Sequence, residues 1–304
     1  MGSNVRDVLG NVPTPLSRNR FAGPLLMAPC LVLLALFAYW PTAQSGYLSV
    51  HGSDLLGRPT RFVGAENFER LGSDPELRRV ILTTVLIAVL ATALATGAGL
   101  AAALLMRGAA PRGGRVASLV LSLPFAYSTA AVSATFAGLF APAVGILDRT
   151  LALAGIAGPN WLASPVAAIA AIVITTAWYE FGFTFLVLVA AISRLDREVL
   201  EAAALDGAGE VRTAFSIVVP ALRPSLLFLV VTQTVSGLQI FTQVQVLTGG
   251  GPSDATHTLV FELYQRAFGG GSPQYGTASA LALLLLVLVV LATAAQFRLA
   301  RERS

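Results

Sequence analysis

The chain has 304 residues, of which 55% are hydrophobic and only 12% charged, and its mean hydropathy is +0.74. An ordinary soluble domain carries about 25% charged residues, so this composition excludes a typical soluble enzyme and indicates an integral membrane protein. The formal net charge is +4, and all 20 basic residues are arginine. The chain therefore lacks the lysine that a Walker A phosphate loop requires. Any ATP it uses must be hydrolysed by another protein.

Six apolar stretches are each long enough to cross a bilayer as a helix, since a hydrocarbon core of about 30 Å needs roughly 20 apolar residues. The first is longer than the apolar part of a signal peptide, so we interpret it as a retained helix. The sequence predicts an all-α membrane protein with a transmembrane domain at 21–300, a segment at 1–20 before it and a tail at 301–304 after it. The predicted spans lie at about 21–45, 80–106, 116–140, 165–192, 222–247 and 277–299.

The arginines predict the orientation of these spans. With the N-terminus inside the cell, thirteen arginines lie on the inner side and seven on the outer side. Five of the outer seven share the first outer loop with five acidic residues, so that loop carries no net charge. Positive side chains accumulate in short cytoplasmic loops, and we therefore expect both termini in the cytoplasm.

Cysteine and histidine give no catalytic or metal-binding pattern. The lone Cys30 cannot form an intrachain disulfide, and His51 and His257 fall in polar connections rather than in an HExxH pattern. We expect two solvated loop histidines and no metal site.

The fourth span contains Glu180, the only ionisable residue predicted to lie deep inside a span. Such residues commonly face a cavity or another helix. Glu180 is either a solute contact or gating ion pair, with Arg223 or Arg149 as its partner, or a carboxyl that is protonated or reached by water. We include its neighbour Tyr179 in the candidate solute pathway, although an aromatic side chain there commonly serves packing.

The connection at 193–220 is more polar than the apolar stretches on either side of it. Asp196 is a predicted N-cap for a helix that begins at Arg197. Gly207 and Gly209 each weaken a helix by about 1 kcal/mol relative to alanine, so we expect a break between two short helices. The connection is too short to form a domain of its own.

Small residues follow one another at helical spacing in this connection. Ala204, Gly207 and Ala208 fall at i, i+3 and i+4, which predicts a helix face with little side-chain bulk. Pro220 marks the entry to the fifth span. The connection is either an ordinary helix that covers the inner membrane surface or an element that docks onto a partner.

The fifth span carries a predicted polar stripe of four residues. On a continuous helix these residues would share an arc of about 60°. Their hydroxyls and amides suit hydroxyl or phosphate oxygens of a solute, and hydrogen bonding between helices explains them equally well. The stripe consists of Thr232, Ser236, Gln239 and Gln243.

The spacing in the connection resembles the EAA loop, EAA-x3-G-x9-I-x-L-P, of the permeases of binding-protein-dependent ABC importers. Only the leucine differs, and valine replaces it. In that family the loop is the coupling helix, which inserts into the ATPase subunit. The matching residues are Glu201, Ala202, Ala203, Gly207, Ile217 and Pro220, and Val219 stands in place of the leucine. We include Asp206 and Gly209 beside them among the candidate coupling residues, because Asp206, like Glu201, offers charge to basic groups on the partner.

Three further stretches resemble the carbohydrate and glycerol-phosphate (maltose-type) branch of this family, namely FVGAENF at 62–68, SLPFAY at 122–127 and LTGGGPSDATHTLVFELYQRAF at 247–268. The chain is most similar to the A-type permease subunit of glycerol-3-phosphate and glycerophosphodiester importers. The resemblance implies the type I importer permease fold, a place in the bacterial cytoplasmic (inner) membrane among its lipids, and no enzymatic activity. It also implies alternating access to a small polar solute.

The same resemblance implies the partners. They are a second homologous permease, two ATPase subunits that bind ATP and Mg, and an extracytoplasmic solute-binding protein; no nucleic acid and no cofactor of this chain's own is expected. Import of a mono- or disaccharide by the same machinery remains an alternative. A stand-alone secondary transporter is a further alternative, although it would be expected to show paired ionisable residues or two related halves.

Overall fold

Helices make up most of the computed structural model, which describes residues 22–54, 56, 58–107, 111–142, 145–155, 158–270 and 272–301. The predicted segment at 1–20 and most of the tail at 301–304 lie outside these residues. The helices are α1 (Ala22–Leu34), α2 (Trp40–Ser49), α3 (Glu66–Ser73), α4 (Pro75–Met106), α5 (Pro111–Ala126), α6 (Thr129–Leu139), α7 (Ile146–Leu153), α8 (Pro165–Ile192), α9 (Arg197–Leu205), α10 (Glu210–Thr213), α11 (Val219–Ala221), α12 (Arg223–Leu238), α13 (Thr242–Leu247), α14 (Leu259–Phe268) and α15 (Tyr275–Arg301).

Four helical stretches of the described chain are long and apolar enough to cross a membrane without a sharp bend. They are Leu26–Ser49, which includes a wide π-turn at Ala35–Tyr39, and the three long helices α4, α8 and α15. Two sharply bent pairs of helices complete the six spans predicted from hydropathy. The all-α, six-span prediction is therefore confirmed, although two of the spans are not straight.

The third span is broken, so the predicted span at about 116–140 is not one continuous helix. Val116–Ala126 and Thr129–Leu139 meet at 98°. Pro124 near the end of α5 cannot donate a backbone hydrogen bond, and Ser128 starts the next helix because its hydroxyl accepts from the amide of Ala131 at 3.2 Å. Each arm of eleven residues is about 16 Å long, which is too short to cross the bilayer alone.

The fifth span is interrupted twice, so the prediction of one helix at 222–247 is also wrong. Glu210–Ala221 and Arg223–Leu238 meet at 67°. Pro220 follows a π-turn at Ala214–Val218, in which the amide of Val219 reaches back to the carbonyl of Ala214. A proline removes one donor from the helical ladder and crowds the preceding turn, which accounts for the widened turn and the bend.

A small antiparallel hairpin in the first outer loop was not predicted. Its strands, β1 (His51–Ser53) and β2 (Pro59–Phe62), pair His51 with Phe62. The buried amide of Asn67 in α3 donates to the carbonyls of Ser49 and His51, at 2.8 and 3.0 Å. These bonds join α3 to the end of the first span and to the hairpin.

The core of the molecule forms where α4, α8 and α12 pack together. Ile87 of α4 and Ile172 of α8 are fully buried in one cluster, and Leu188 of α8 joins Leu229 of α12 in another. At Gly237 of α12 a Cβ atom would lie 2.8 Å from the Cα of Ala88 in α4. Such close approach through small residues is typical of helices that associate inside a membrane.

The contact at Gly237 predicts a loss of stability when the glycine is enlarged. Gly237→Ala should lower the thermal unfolding midpoint of the detergent-purified protein, by an amount equivalent to about 1–3 kcal/mol, because the backbone of α4 has no room to move away. Gly97→Ala in α4 is the matched control, since no atom lies within 4 Å of its added Cβ. Equal midpoints for the two variants would contradict the proposed close packing.

Candidate functional site

The predicted docking element begins with a capped helix. The Asp196 carboxylate accepts a hydrogen bond from the amide of Glu198 at 3.0 Å, at the start of α9. This confirms Asp196 as the N-cap. On the inward side Ala203 is buried and Leu200 packs against the cluster that contains Leu188 of α8, so the helix rests on the transmembrane core.

The end of α9 explains the glycine of the EAA spacing. The amide of Gly207 donates to the carbonyl of Ala204 at 3.1 Å, and that of Ala208 to the carbonyl of Ala203 at 2.9 Å. This pair of bonds is a Schellman motif, in which the residue after the C-cap takes a left-handed conformation. Gly207 does so, with φ of +74°. A side chain there would meet no other atom of the chain, so the backbone angle, not space, requires glycine.

The prediction that Ala204, Gly207 and Ala208 share one helix face with little side-chain bulk is wrong. The helix α9 ends at Leu205, so Gly207 and Ala208 are not part of it. The predicted break between two short helices is confirmed, and Gly209 stands immediately before α10. Five of the predicted coupling residues are exposed, whereas Ala203 is buried and Pro220 is half-buried. The five are Glu201, Ala202, Asp206, Gly207 and Gly209.

Large apolar side chains that follow α9 in the sequence are also exposed, and the sequence analysis did not single them out. Leu205 is 89% exposed, Val211 74% and Phe215 64%. Exposed apolar residues near charged ones such as Glu201 and Asp206 are common in protein interfaces. Their closeness to Gly207 in the sequence was a usable signal, because large apolar residues stand out in a polar connection.

The predicted polar stripe does not lie on one helix. α12 ends at Leu238, Gln239 follows it as the C-cap, and α13 begins at Thr242. The prediction of a continuous arc is therefore wrong. The break is stable because the carbonyl of Ile240 accepts a hydrogen bond from the buried hydroxyl of Thr258 at 3.1 Å. Sequence periodicity contains no information about this distant partner.

The four stripe residues have different surroundings. The Thr232 hydroxyl donates to the carbonyl of Phe228 in its own helix at 2.9 Å. Ser236 and Gln239 are exposed, whereas Gln243 is buried in α13. The buried Gln243 thus differs from the exposed Ser236 and Gln239, and Thr232 is half-buried.

Glu180 of α8 lies beside α12. The hydroxyl of Ser236 lies near its carboxylate, so two of the predicted pathway residues face each other across the helix pair. Tyr179 next to it is half-buried. Among the described residues neither Arg149 nor Arg223 forms a salt bridge with Glu180, so an ion pair with either arginine is not seen.

A glutamine that the sequence analysis missed joins three spans. Gln233 of α12 is only 3% exposed. Its side-chain nitrogen donates to the hydroxyl of Thr184 in α8, and its oxygen accepts from the hydroxyl of Thr96 in α4 at 2.8 Å. Thr184 in turn donates to the carbonyl of Glu180 at 2.9 Å. These hydrogen bonds hold the backbone of Glu180 in place relative to α4 and α12.

Charged groups form a second cluster at the predicted outer end. Arg266 of α14 bonds Glu262 at 2.5 Å and Asp74, the N-cap of α4, at 3.0 Å. His257 lies 3.2 Å from the other oxygen of Glu262. The interpretation of His257 as a solvated loop histidine is therefore wrong, because its ring also packs edge-on against Phe261.

The pKa of Glu262 is lowered from 4.5 to about 2. The hydrogen bond from His257 is the largest cause, burial opposes it, and Arg266 adds to the lowering through a hydrogen bond and its charge. Both partners stabilise the ionised carboxylate. The cluster therefore ties α14 to the start of α4 most firmly when Glu262 is charged.

Two cavities differ in the polarity of their linings. One, of about 550 Å³, lies between the hairpin, α3 and the start of α15 and is lined by polar groups that include Asp54, Arg61 and Gln274. The other, of about 720 Å³, lies between the bent third span and α8, where Leu123 and Phe136 face Phe181. The second cavity is almost entirely apolar, so it does not suit a polar solute by itself.

The chain matches one family and a group of relatives over most of its length. Residues 20–304 match the family described as binding-protein-dependent transport system inner membrane component. The sn-glycerol-3-phosphate transport system permease protein UgpA of Brucella abortus biovar 1 (strain 9-941) is 34% identical over 289 residues, which cover 94% of this chain and 96% of the relative. UgpA of Yersinia pseudotuberculosis serotype I (strain IP32953) is 32% identical over 250 residues, 81% of this chain and 83% of the relative.

Solved structures share the fold. A chain in the crystal structure of a bacterial alginate ABC transporter, in complex with an alginate pentasaccharide-bound periplasmic protein, superposes with a TM-score of 0.80 at 19% identity. The match covers 91% of this chain and 93% of that one. A bacterial ABC transporter involved in the import of the acidic polysaccharide alginate gives 0.79 at 20% identity, over 93% and 96%.

The lowered pKa of Glu262 predicts a pH-dependent contribution to stability. A carboxyl with a depressed pKa contributes fully above its ordinary value of 4.5, and that contribution is lost as the pH falls towards 2. Glu262→Gln should therefore lower the thermal midpoint most near neutral pH. The gap from the wild type should narrow as the pH falls below 4.5.

The exposed Glu69 of α3 provides the control for this measurement. Glu69→Gln should leave the midpoint close to that of the wild type at every pH, because it lies outside the cluster. A gap for Glu262→Gln that stays constant across the acid range would show that the carboxylate charge has no such role.

Proposed function

The chain belongs to the family of binding-protein-dependent transport system inner membrane components, and we propose that it forms half of the import pathway for sn-glycerol 3-phosphate or a glycerophosphodiester. It is a permease subunit of an ABC importer and not an enzyme. We propose this solute because the chain is 34% identical, over 94% of its length, to a permease named for sn-glycerol 3-phosphate.

Other solutes and mechanisms fit less well. Import of a mono- or disaccharide by the same machinery remains the alternative. The solved relatives named for alginate are only 19–20% identical, which supports the fold and does not extend to the solute. Membership of the family leaves no reason to retain a stand-alone secondary transporter.

The assembly follows from the family. An ABC importer permease works with ATPase subunits and a solute-binding protein, as a multi-pass protein of the inner membrane. We propose in addition a second homologous permease, two ATPases that hold ATP and Mg, and both termini in the cytoplasm. The arginine bias supports this orientation, because it puts α9 and its exposed apolar residues on the ATPase side.

The coupling route proposed here runs from α9 into the fifth span. Leu205 and Phe215 would enter the ATPase surface, with Glu201 and Asp206 available to basic groups on its rim. Movement of α9 passes through the π-turn before Pro220 to α12. Because α12 carries Ser236, which lies near Glu180, the same movement would alter the polar groups of the pathway.

Solute contacts are proposed at the junction of α8 and α12. Glu180 and Ser236 supply a carboxylate and a hydroxyl that suit the hydroxyls of a glycerol unit, whereas the phosphate would need donors. The exposed amide of Gln239 is such a donor. Tyr179, Thr232 and Gln243 remain in the proposed pathway with weaker support, since Thr232 is bonded within its own helix and Gln243 is buried.

The coupling role is tested at Gly207. Gly207→Val forces a β-branched residue into a left-handed conformation, which costs about 1–2 kcal/mol, and should displace the end of α9. We expect solute uptake in cells to fall at least about tenfold while the subunit stays in the membrane, since a free-energy change of about 1.4 kcal/mol already changes an equilibrium about tenfold.

Leu205→Asp should reduce co-purification of the ATPase subunit, because it places a charge in the proposed apolar contact.

Gly155 offers a matched control for this experiment. It has φ of +71° and open space around its Cβ, as Gly207 does, but it follows α7 on the predicted outer side. Gly155→Val should suffer similar backbone strain and retain uptake. Normal uptake by Gly207→Val, or equal losses in both variants, would argue against the coupling role.

The pathway role is tested at Glu180. Glu180→Gln keeps the shape of the side chain and removes its charge, so transport should fall by about tenfold or more if the carboxylate contacts solute, as expected for a lost hydrogen bond to a charged group. The measurement is solute-stimulated ATP hydrolysis by the reconstituted transporter at saturating loaded binding protein. Ser236→Ala should give a smaller loss in the same direction. A lowered thermal midpoint with unchanged stimulation would assign Glu180 to helix packing instead.

A further inference from the structure

A chain of hydrogen bonds with a fixed direction of donation crosses three spans at Gln233. The hydroxyl of Thr184 has one proton and donates it to the carbonyl of Glu180 at 2.9 Å. Its oxygen can therefore only accept, so the nitrogen end of the Gln233 amide faces it. The oxygen end of the amide faces Thr96, whose hydroxyl donates to it at 2.8 Å. No group of this chain can exchange its role without the loss of a bond.

The hydrogen-bonded chain lies one helical turn from the proposed solute contacts. Thr184 follows Glu180 by four residues in α8, which places both on one face of that helix. Ser236 likewise follows Gln233 by three residues in α12. Thr184 and Gln233 are buried, whereas the two contact residues are half-buried and exposed. A buried, bonded layer thus adjoins the layer that a solute can reach.

Close packing of the backbone confines the side chains of this layer. A Cβ atom at Gly99 of α4 would lie 2.5 Å from the methyl carbon Cγ2 of Thr184. One turn beyond Gln233, a Cβ atom at Gly237 would lie 2.8 Å from the Cα of Ala88. The helix α4 therefore touches both α8 and α12 here, and glycines make this approach possible. The Gln233 amide cannot turn to another partner unless these helices move.

We infer that Gln233 is a positioning residue for transport, because its bond to Thr184 sets the spacing of α8 and α12 beside Glu180. At that spacing the carboxylate of Glu180 and the hydroxyl of Ser236 can contact one solute molecule together. Without the bond, the buried amide finds no water inside the bilayer, and the two helices shift until it meets another partner. The solute then loses one of its two contacts. The inference rests on the proposed solute contact at Glu180.

Thr184→Val tests the inference, because valine has the shape of threonine and cannot accept the bond from Gln233. The measurement is ATP hydrolysis by the reconstituted transporter, stimulated by binding protein loaded with sn-glycerol 3-phosphate. We expect the maximal rate per folded transporter to fall about fivefold, as for one hydrogen bond between spans. The concentration of loaded binding protein at half of that rate should not change, because Thr184 is buried inside a span. Thr184→Ser keeps the hydroxyl and should retain the wild-type rate.

Thr96→Val is the matched control, because it removes the other bond of the same amide and leaves the bond between Gln233 and Thr184 in place. We expect Thr96→Val and Thr184→Val to lower the thermal midpoint by similar amounts. Only Thr184→Val should lose most of the maximal rate. Gln233→Met, which is similar in size to glutamine and removes both bonds, should reproduce the loss of rate if Thr184→Val does not fold.

A double variant shows whether Thr184 acts through Glu180. Residues that act as one unit give losses that do not add, whereas independent residues give losses that multiply. We therefore expect Glu180→Gln combined with Thr184→Val to be no slower than Glu180→Gln alone. Independent roles would multiply the two expected losses to about fiftyfold. Thermal midpoints of all variants show whether each has folded.

The outcomes distinguish this inference from the proposed function. An unchanged maximal rate in folded Thr184→Val, equal losses of rate in Thr184→Val and Thr96→Val, or multiplied losses in the double variant would each overturn the positioning role. None of these three results would affect the proposed solute or the solute contact at Glu180. An unchanged rate in Glu180→Gln would instead remove that contact, and a wild type that sn-glycerol 3-phosphate does not stimulate would refute the proposed solute. Either result would overturn the positioning role as well, because it rests on them.

Discussion

The absence of water inside a bilayer decides how the central helices of this protein are joined. A polar group that enters the hydrocarbon region is stabilised when it finds a partner within the protein. Gln233 meets this requirement by bonding hydroxyls on two other spans at once, those of Thr96 and Thr184. The same requirement governs the helix break after α12, where the carbonyl of Ile240 is satisfied by Thr258. Polar residues therefore mark the places where the spans meet, and the apolar residues fill the space around them.

The broad architecture was predictable because it follows from local sequence. Hydropathy predicted six spans, and the spacing of Glu201, Gly207 and Pro220 predicted a docking element. The bends were harder to predict, since a proline such as Pro124 shows where a helix is weak but not the angle of the bend, which depends on packing against α8. Gln233 was missed because its partners are more than 40 positions away in the sequence. A search for uncharged polar residues buried in spans would have found it, whereas a search for a stripe did not.

The interruption of the fifth span fits the proposed route from the docking element to the pathway. A straight helix would transmit a push along its axis, whereas a π-turn and a 67° bend allow a displacement of the loop to turn α12. In that proposal the moving helix carries both Gln233, which is bonded to its neighbours, and Ser236, which lies near Glu180. The charge cluster around Glu262 joins α14 to the start of α4, away from the docking element.

The first part of the first span stands apart from the packed helices, whereas its end, α2, packs against α15. The most apolar stretch of Leu26–Ser49 has no residue buried against the rest of the chain, and it contains the protein's lone cysteine, Cys30, whose side chain is exposed. With no lysine in the sequence, amine-directed reagents find almost nothing to modify. A thiol-specific spin label or fluorophore would instead attach at one native position without disturbing the packed helices. The natural sequence is thus already suited to reporting whether that helix contacts lipid or another subunit.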